Sequence, residues 1–130
     1  MNTNKIKHIG VFTSGGDSPG MNAALYAIAK SAEAKNIKIS GFQKGYEGLI
    51  DGDLISLKSH ELQKLVHKGG TILKTARSKR FLELEGRKKA LQTIKANNVD
   101  ALIAIGGDGT SRYPRFCAII FTFRSAAIGA

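Results

Sequence analysis

The sequence predicts an α/β fold, an open parallel sheet with helices on both faces, and three observations carry that expectation. Apolar runs without polar alternation, above all residues 101–105 (Ala-Leu-Ile-Ala-Ile), fit strands buried on both faces, as the strands of a parallel sheet are. Segments with apolar residues at helical spacing alternate with these runs, a βαβ order that calls for right-handed crossovers. Two of the runs stop abruptly at glycine-rich loops, and ligands of an open parallel sheet collect outside the carboxyl ends of its strands.

In chain order, residues 6–13 read as the first strand and lead into Ser14-Gly15-Gly16-Asp17-Ser18-Pro19-Gly20, which cannot continue a strand. A helix follows over 21–34, with Met21, Ala24, Leu25, Ile28, Ala29 and Ala32 on one buried face. Residues 37–42 give the second strand, and 44–52, with Gly45, Gly48 and Gly52, read as a turn-rich segment. Ser59 is positioned to cap a short helix bearing Leu62, Leu65 and Val66. After Gly69-Gly70 a short strand, 71–73, delivers the basic segment Lys74-Thr75-Ala76-Arg77-Ser78-Lys79-Arg80 to its carboxyl end. A helix over 85–97, with Ala90, Leu91 and Ile94 inward, returns to the strand that ends at Gly106-Gly107-Asp108-Gly109-Thr110.

Composition bounds the function. A chain of 130 residues, 42% apolar, suffices for one domain that buries roughly two-thirds of its unfolded surface. No apolar run approaches the roughly 20 residues of a membrane span, and the first residues lack a signal peptide's apolar core, so a soluble, cytoplasmic protein is expected. The single cysteine, Cys117, builds neither a disulfide framework nor a zinc site. The formal charge of +10 is scattered, apart from Lys74, Arg77, Lys79, Arg80, Arg87, Lys88 and Lys89. No RNA-binding aromatic motif accompanies that cluster, so small anionic molecules, not nucleic acid or membrane, are the expected partners.

The two glycine loops carry the chemistry. Glycines let backbone N–H groups approach phosphate oxygens, and a helix that starts just after a loop turns its unpaired N–H groups and positive dipole end toward them. Asp108 is the candidate metal carboxylate and Thr110 a candidate hydroxyl. Gly15 and Gly20 have the outer spacing of a P-loop, but Met21-Asn22 stands where that motif needs Lys and Ser or Thr; the spacing also fails the dinucleotide fingerprint. Tyr46, between glycines, is either a ligand contact or a local anchor.

These residues carry a resemblance. The blocks from Gly10 to Ala24, Gly45-Tyr46-Glu47-Gly48-Leu49, Gly69-Gly70-Thr71-Ile72-Leu73 with Ala76-Arg77, and Ile105-Gly106-Gly107-Asp108-Gly109-Thr110 resemble the amino-terminal third of the 6-phosphofructokinases, in that family's order and spacing, over residues 5–110. The resemblance implies phosphoryl transfer from ATP to the 1-hydroxyl of fructose 6-phosphate with Mg²⁺, in glycolysis, by a homotetramer when the enzyme is full length. It implies that Gly16 lies against the ATP phosphates, that Arg77 reaches the transferring phosphoryl group, and that Tyr46 and Ser78 border the nucleotide. Gly107, Asp108, Gly109 and Thr110 would line the ATP loop, with Asp108 serving the metal. Gly109 favours ATP as donor, because pyrophosphate-dependent relatives typically carry Asp there.

Two departures qualify the resemblance. Tyr26 and Lys30, with Ser59, Gln63 and Lys64, stand at positions where bacterial members place effector-binding residues, so control of that type is not implied. After Thr110 the family continues toward Thr-Ile-Asp-Asn-Asp, whose first Asp is its catalytic base, whereas residues 111–130 match no part of that pattern. They are read as a frameshifted or misjoined segment, the alternative being a real but divergent terminus, following a partial ATP-binding domain, 1–110; the 130-residue chain alone is expected to be inactive. Residues 116–123, apolar and free of acids, are expected to add to a sheet edge or to promote aggregation, without native packing. Two other readings remain open: a kinase of the NAD or diacylglycerol kinase type, which shares Gly-Gly-Asp-Gly-Thr, and a non-catalytic phosphate-binding module.

Overall fold

A computed structural model of the chain describes residues 6–14, 20–76 and 78–106, and the backbone of 117–122. Five strands form one sheet in the order β3-β2-β1-β4-β5. These are β1 (His8–Ser14), β2 (Lys38–Phe42), β3 (Leu54–Ser56), β4 (Ala101–Gly106) and β5 (Cys117–Thr122); the helices are α1 (Met21–Ala34), α2 (Tyr46–Asp51), α3 (Ser59–Leu62) and α4 (Leu84–Ala96).

The centre is parallel, as expected. β1 pairs with β2 from His8↔Lys38 to Val11↔Gly41, and with β4 from Ile9↔Ala101 to Ser14↔Gly106. Every residue of β4 is buried, which its unbroken apolar run requires. The two-residue period then divides the side chains between the faces. Val11, Ile103 and Ile105 pack with Met21, Leu25 and Ala29 of α1 and with Leu73, while Phe12, Leu102 and Ala104 pack with Leu49 and Ile50 of α2 and with Ala90 and Ile94 of α4. Helices therefore cover both faces.

The parallel centre is flanked by antiparallel outer strands: β3 pairs with β2 and β5 with β4. Only α2 links β2 to β3, and at about 1.5 Å per residue six helical residues are too short to carry the chain back along the sheet for a parallel crossover. The chain re-enters from the end at which it left, and the Gln43 N–H donates to the Asp53 carbonyl. β5 adds to the β4 edge over six paired positions, Ala101↔Thr122 through Gly106↔Cys117.

Local expectations also shift. The glycine-punctuated segment after β2 is helical from Tyr46 to Asp51. Residues 71–73 form a turn, not a strand. Ser59 does not cap α3; it is the first residue of that helix, and its N–H and hydroxyl donate to Glu33 of α1 at 2.8 and 2.6 Å. Leu91, expected inward, is 38% exposed.

Candidate functional site

β1 and β4 are neighbours, parallel and in register to their last residues, so Ser14 and Gly106 lie side by side at the carboxyl edge of the sheet. Each is the last described residue before one of the glycine loops. The candidates Gly16, Gly107, Asp108, Gly109 and Thr110, and likewise Arg77, lie outside the described residues. Tyr46 and Ser78 lie within them.

A third segment reaches the same edge. Thr13, fully buried at the end of β1, donates its hydroxyl to the Lys74 carbonyl at 3.0 Å. With its proton so placed, Thr13 Oγ1 accepts from the Thr71 hydroxyl at 3.0 Å, and Thr71 Oγ1 accepts the Leu73 N–H at 3.1 Å. Asn22 in the first turn of α1 accepts the Ile72 N–H at 2.8 Å and faces the Lys68 carbonyl. The Lys44 N–H donates to the Leu73 carbonyl at 2.8 Å. Lys74 is held at a positive φ of 63°, which turns the chain at Lys74 as it runs from the core toward Ala76 and Ser78.

The first turn of α2 meets this segment from the other side. Gly45 precedes it with φ 58° and ψ −129°, a conformation open to glycine, and a Cβ there would stand 3.0 Å from the Thr13 carbonyl oxygen. The Tyr46 ring stacks on Phe81 at 4.2 Å and meets Phe12 at 4.8 Å in a tilted contact. Burial raises the Tyr46 pKa, and a hydrogen bond to the Ser14 side chain opposes that shift. The Tyr46 ring thus packs against Phe12 and Phe81, with its phenol at the end of β1. Beside it opens a largely apolar cavity of about 400 Å³, lined by residues that include Phe12, Tyr46, Phe81, Leu91 and Leu102.

Ser78 donates its hydroxyl to Glu47 and accepts the Phe81 N–H at 3.2 Å. The other Glu47 oxygen accepts Arg80 at 2.6 Å, and Arg80 also reaches Asp51 at 3.0 Å. Hydrogen bonds from Arg80 and Ser78 hold the Glu47 carboxyl below its ordinary pKa, and Arg80 does the same for Asp51. Sequence reasoning did not single out Glu47, Asn22 or Thr13. Their partners lie 31 to 61 residues away, beyond the reach of local spacing.

The phosphofructokinase family profile matches residues 8–115. The chain belongs to the phosphofructokinase family. It is 49% identical over 107 residues to a protein of Thermus thermophilus named ATP-dependent 6-phosphofructokinase 1, a match that covers 82% of this chain and 33% of that relative. It is 45% identical over 105 residues to an ATP-dependent 6-phosphofructokinase of Clostridium botulinum, covering 81% and 33%. The chain thus spans about a third of the length of these phosphofructokinases. Among solved structures, phosphofructokinase from Saccharomyces cerevisiae superimposes with a TM-score of 0.76 at 40% identity, over 80% of this chain and 14% of that one. A pyrophosphate-dependent phosphofructokinase from Marinobacter aquaeolei shares the fold, with a TM-score of 0.67 at 20% identity over 85% of this chain and 32% of that one. The match places the chain among phosphofructokinases. It also extends past residue 110, where the resemblance seen in the sequence stops. No helix among the described residues is long and apolar enough to cross a membrane.

Proposed function

We infer that this chain supplies the ATP-binding part of an ATP-dependent 6-phosphofructokinase, which passes the γ-phosphoryl group of ATP to the 1-hydroxyl of fructose 6-phosphate. The observation that carries this reading is the Ser14↔Gly106 pairing, because it makes both glycine loops leave the sheet from adjacent positions at one edge. The Thr13–Lys74 bond supports it by tying the strand that leads into the first loop to the segment that bears Arg77.

In this reading Gly16 and Gly107 offer backbone N–H groups to the phosphates, with Gly109 and Thr110 completing the ATP loop. Arg77 reaches the transferring phosphoryl group, whose transition state spreads negative charge over its oxygens. Tyr46 and Ser78 border the nucleotide. Asp108 is the carboxylate for Mg²⁺. Such an ion binds through one or two carboxylates plus substrate phosphates. When bound, Mg²⁺ neutralises charge on the phosphates. Asp108 orients that ion, while the glycine N–H groups and Arg77 hold the phosphate oxygens.

Titration calorimetry with Mg²⁺-ATP tests the reading. The chain should bind it, and Asp108→Ala should remove most of the Mg²⁺ dependence while leaving circular dichroism unchanged. Absence of binding by the unaltered chain, or equal Mg²⁺ dependence in the variant, would overturn it. Transfer to the sugar needs a base as well, and Thr-Ile-Asp-Asn-Asp does not occur in these 130 residues, so binding is the readout, not turnover.

A further inference from the structure

The first two residues of α2 grip four residues that begin immediately after Arg77. Tyr46 stacks on Phe81, while Glu47 holds Ser78 with one carboxylate oxygen and Arg80 with the other. The Phe81 N–H closes the arrangement by donating to Ser78 Oγ, and Asp51, one turn along α2, takes a second bond from Arg80. An exposed ion pair alone contributes little to stability. Here a charged bond, two bonds to one hydroxyl and a ring stack converge on a single short segment.

We propose that Glu47 is a positioning residue of the nucleotide site: by clasping Ser78 and Arg80 it holds the segment 78–81 against α2, and it fixes the polarity of the Ser78 hydroxyl. The Ser78 proton is committed to Glu47 and one lone pair to the Phe81 N–H, which leaves one lone pair without a partner among the described residues. Ser78 therefore meets a ligand as an acceptor, suited to an amino or hydroxyl group of a base or sugar, and does not donate to a phosphate. This rests on the nucleotide reading above for the identity of the ligand.

The test compares the unaltered chain with Glu47→Ala and Glu47→Gln, using amide hydrogen exchange without nucleotide and calorimetry with Mg²⁺-ATP. Thermal unfolding serves as a control for general damage. Glu47→Ala should speed exchange over residues 78–82 by about 2- to 10-fold relative to β1 and β4, and should weaken Mg²⁺-ATP by a similar factor. Glu47→Gln keeps an acceptor for Ser78 but loses the charge toward Arg80, so it should fall between the two. Unchanged exchange at 78–82 overturns the clasp. Faster exchange, or a lower midpoint, with unchanged ATP affinity reduces Glu47 to a structural residue and overturns the positioning role. An unaltered chain that takes up no Mg²⁺-ATP instead removes the nucleotide reading and the positioning role with it, and the exchange data still report separately on the clasp.

Discussion

Thr13 donates its hydroxyl to the Lys74 carbonyl at 3.0 Å, across 61 residues of chain. This bond joins the end of a central strand to the segment that carries the basic cluster, and it has no water to fall back on at the Thr13 end, where the side chain is fully buried. Shape alone would let valine replace threonine. Thr13→Val, however, removes the donor to Lys74 and the acceptor for Thr71 together. It should cost about 0.5–1.5 kcal/mol per lost bond in urea unfolding, the net worth of a typical internal hydrogen bond, because Thr71 and Lys74 keep access to solvent. It should also weaken Mg²⁺-ATP without altering the metal dependence, and an effect on stability alone would separate this bond from the site.

Gly45 makes a sharper prediction. Its φ of 58° with ψ of −129° lies where side-chain-bearing residues are strained, and the added Cβ would meet backbone, the Thr13 oxygen, which cannot swing aside. Gly45→Ala should therefore destabilise by about 1–3 kcal/mol. Because the strain falls between α2 and the end of β1, exchange should quicken first at Tyr46 to Leu49 and around Lys74.

At the opposite end of the sheet, His8 makes stability depend on pH. Its Nδ1 donates to the Asn97 carbonyl at 3.1 Å, so Nε2 accepts the Ser40 hydroxyl at 2.8 Å and the ring is neutral. Desolvation by burial, then the nearby Lys38 charge, lower its pKa below 6.5; hydrogen bonding to the Asn97 and Asn98 backbone and the Asp100 charge act weakly the other way. The unfolded chain thus binds this proton more readily than the folded one. The contribution is fully present above the unfolded value and is lost as pH falls from about 6.5 through the lower folded value. Urea midpoints measured from pH 8 down to pH 5 should decline. His8→Gln should start lower and flatten that part of the decline, and a parallel slope in the variant would exclude His8 as its source.

Periodicity made β1, α1, β4 and α4 legible, because each buries a face or a whole strand whose spacing is written in adjacent residues. The segment 44–52 misled for a physical reason: its glycines look like turn residues, yet Gly48 is there for proximity. A Cβ at Gly48 would come within 1.7 Å of the Gln43 carbonyl oxygen. Residues 71–73 misled in the reverse sense. Their β-forming side chains suggest a strand, but Asn22 and the Thr71 hydroxyl take the Ile72 and Leu73 N–H groups that a ladder would use. The site divides the same way. Glycine loops and a basic segment announce phosphate chemistry locally, whereas Glu47, which organises Ser78 and Arg80, becomes visible only when α2 is placed against residues 78–81.

The last prediction concerns the phosphoryl donor. β4 ends at Gly106, beside Ser14, and Gly109 follows three positions on in the loop proposed to line ATP. The family resemblance implies that glycine leaves room for a nucleotide there, whereas an aspartate would set a carboxylate against its α-phosphate, a group that pyrophosphate lacks. A like charge at such a contact costs several kcal/mol, on the order of a 100-fold loss of affinity or more. Gly109→Asp should therefore abolish measurable Mg²⁺-ATP binding while leaving Mg²⁺-pyrophosphate binding within a few-fold of the unaltered chain. Gly109→Ala, which adds volume without charge, separates the two causes. If alanine is as damaging as aspartate, space at residue 109 governs donor choice; if only aspartate is damaging, charge governs it. Equal loss of ATP and pyrophosphate in Gly109→Asp would mean that the substitution disturbs the phosphate cradle as a whole, and Gly109 would then carry no information about the donor.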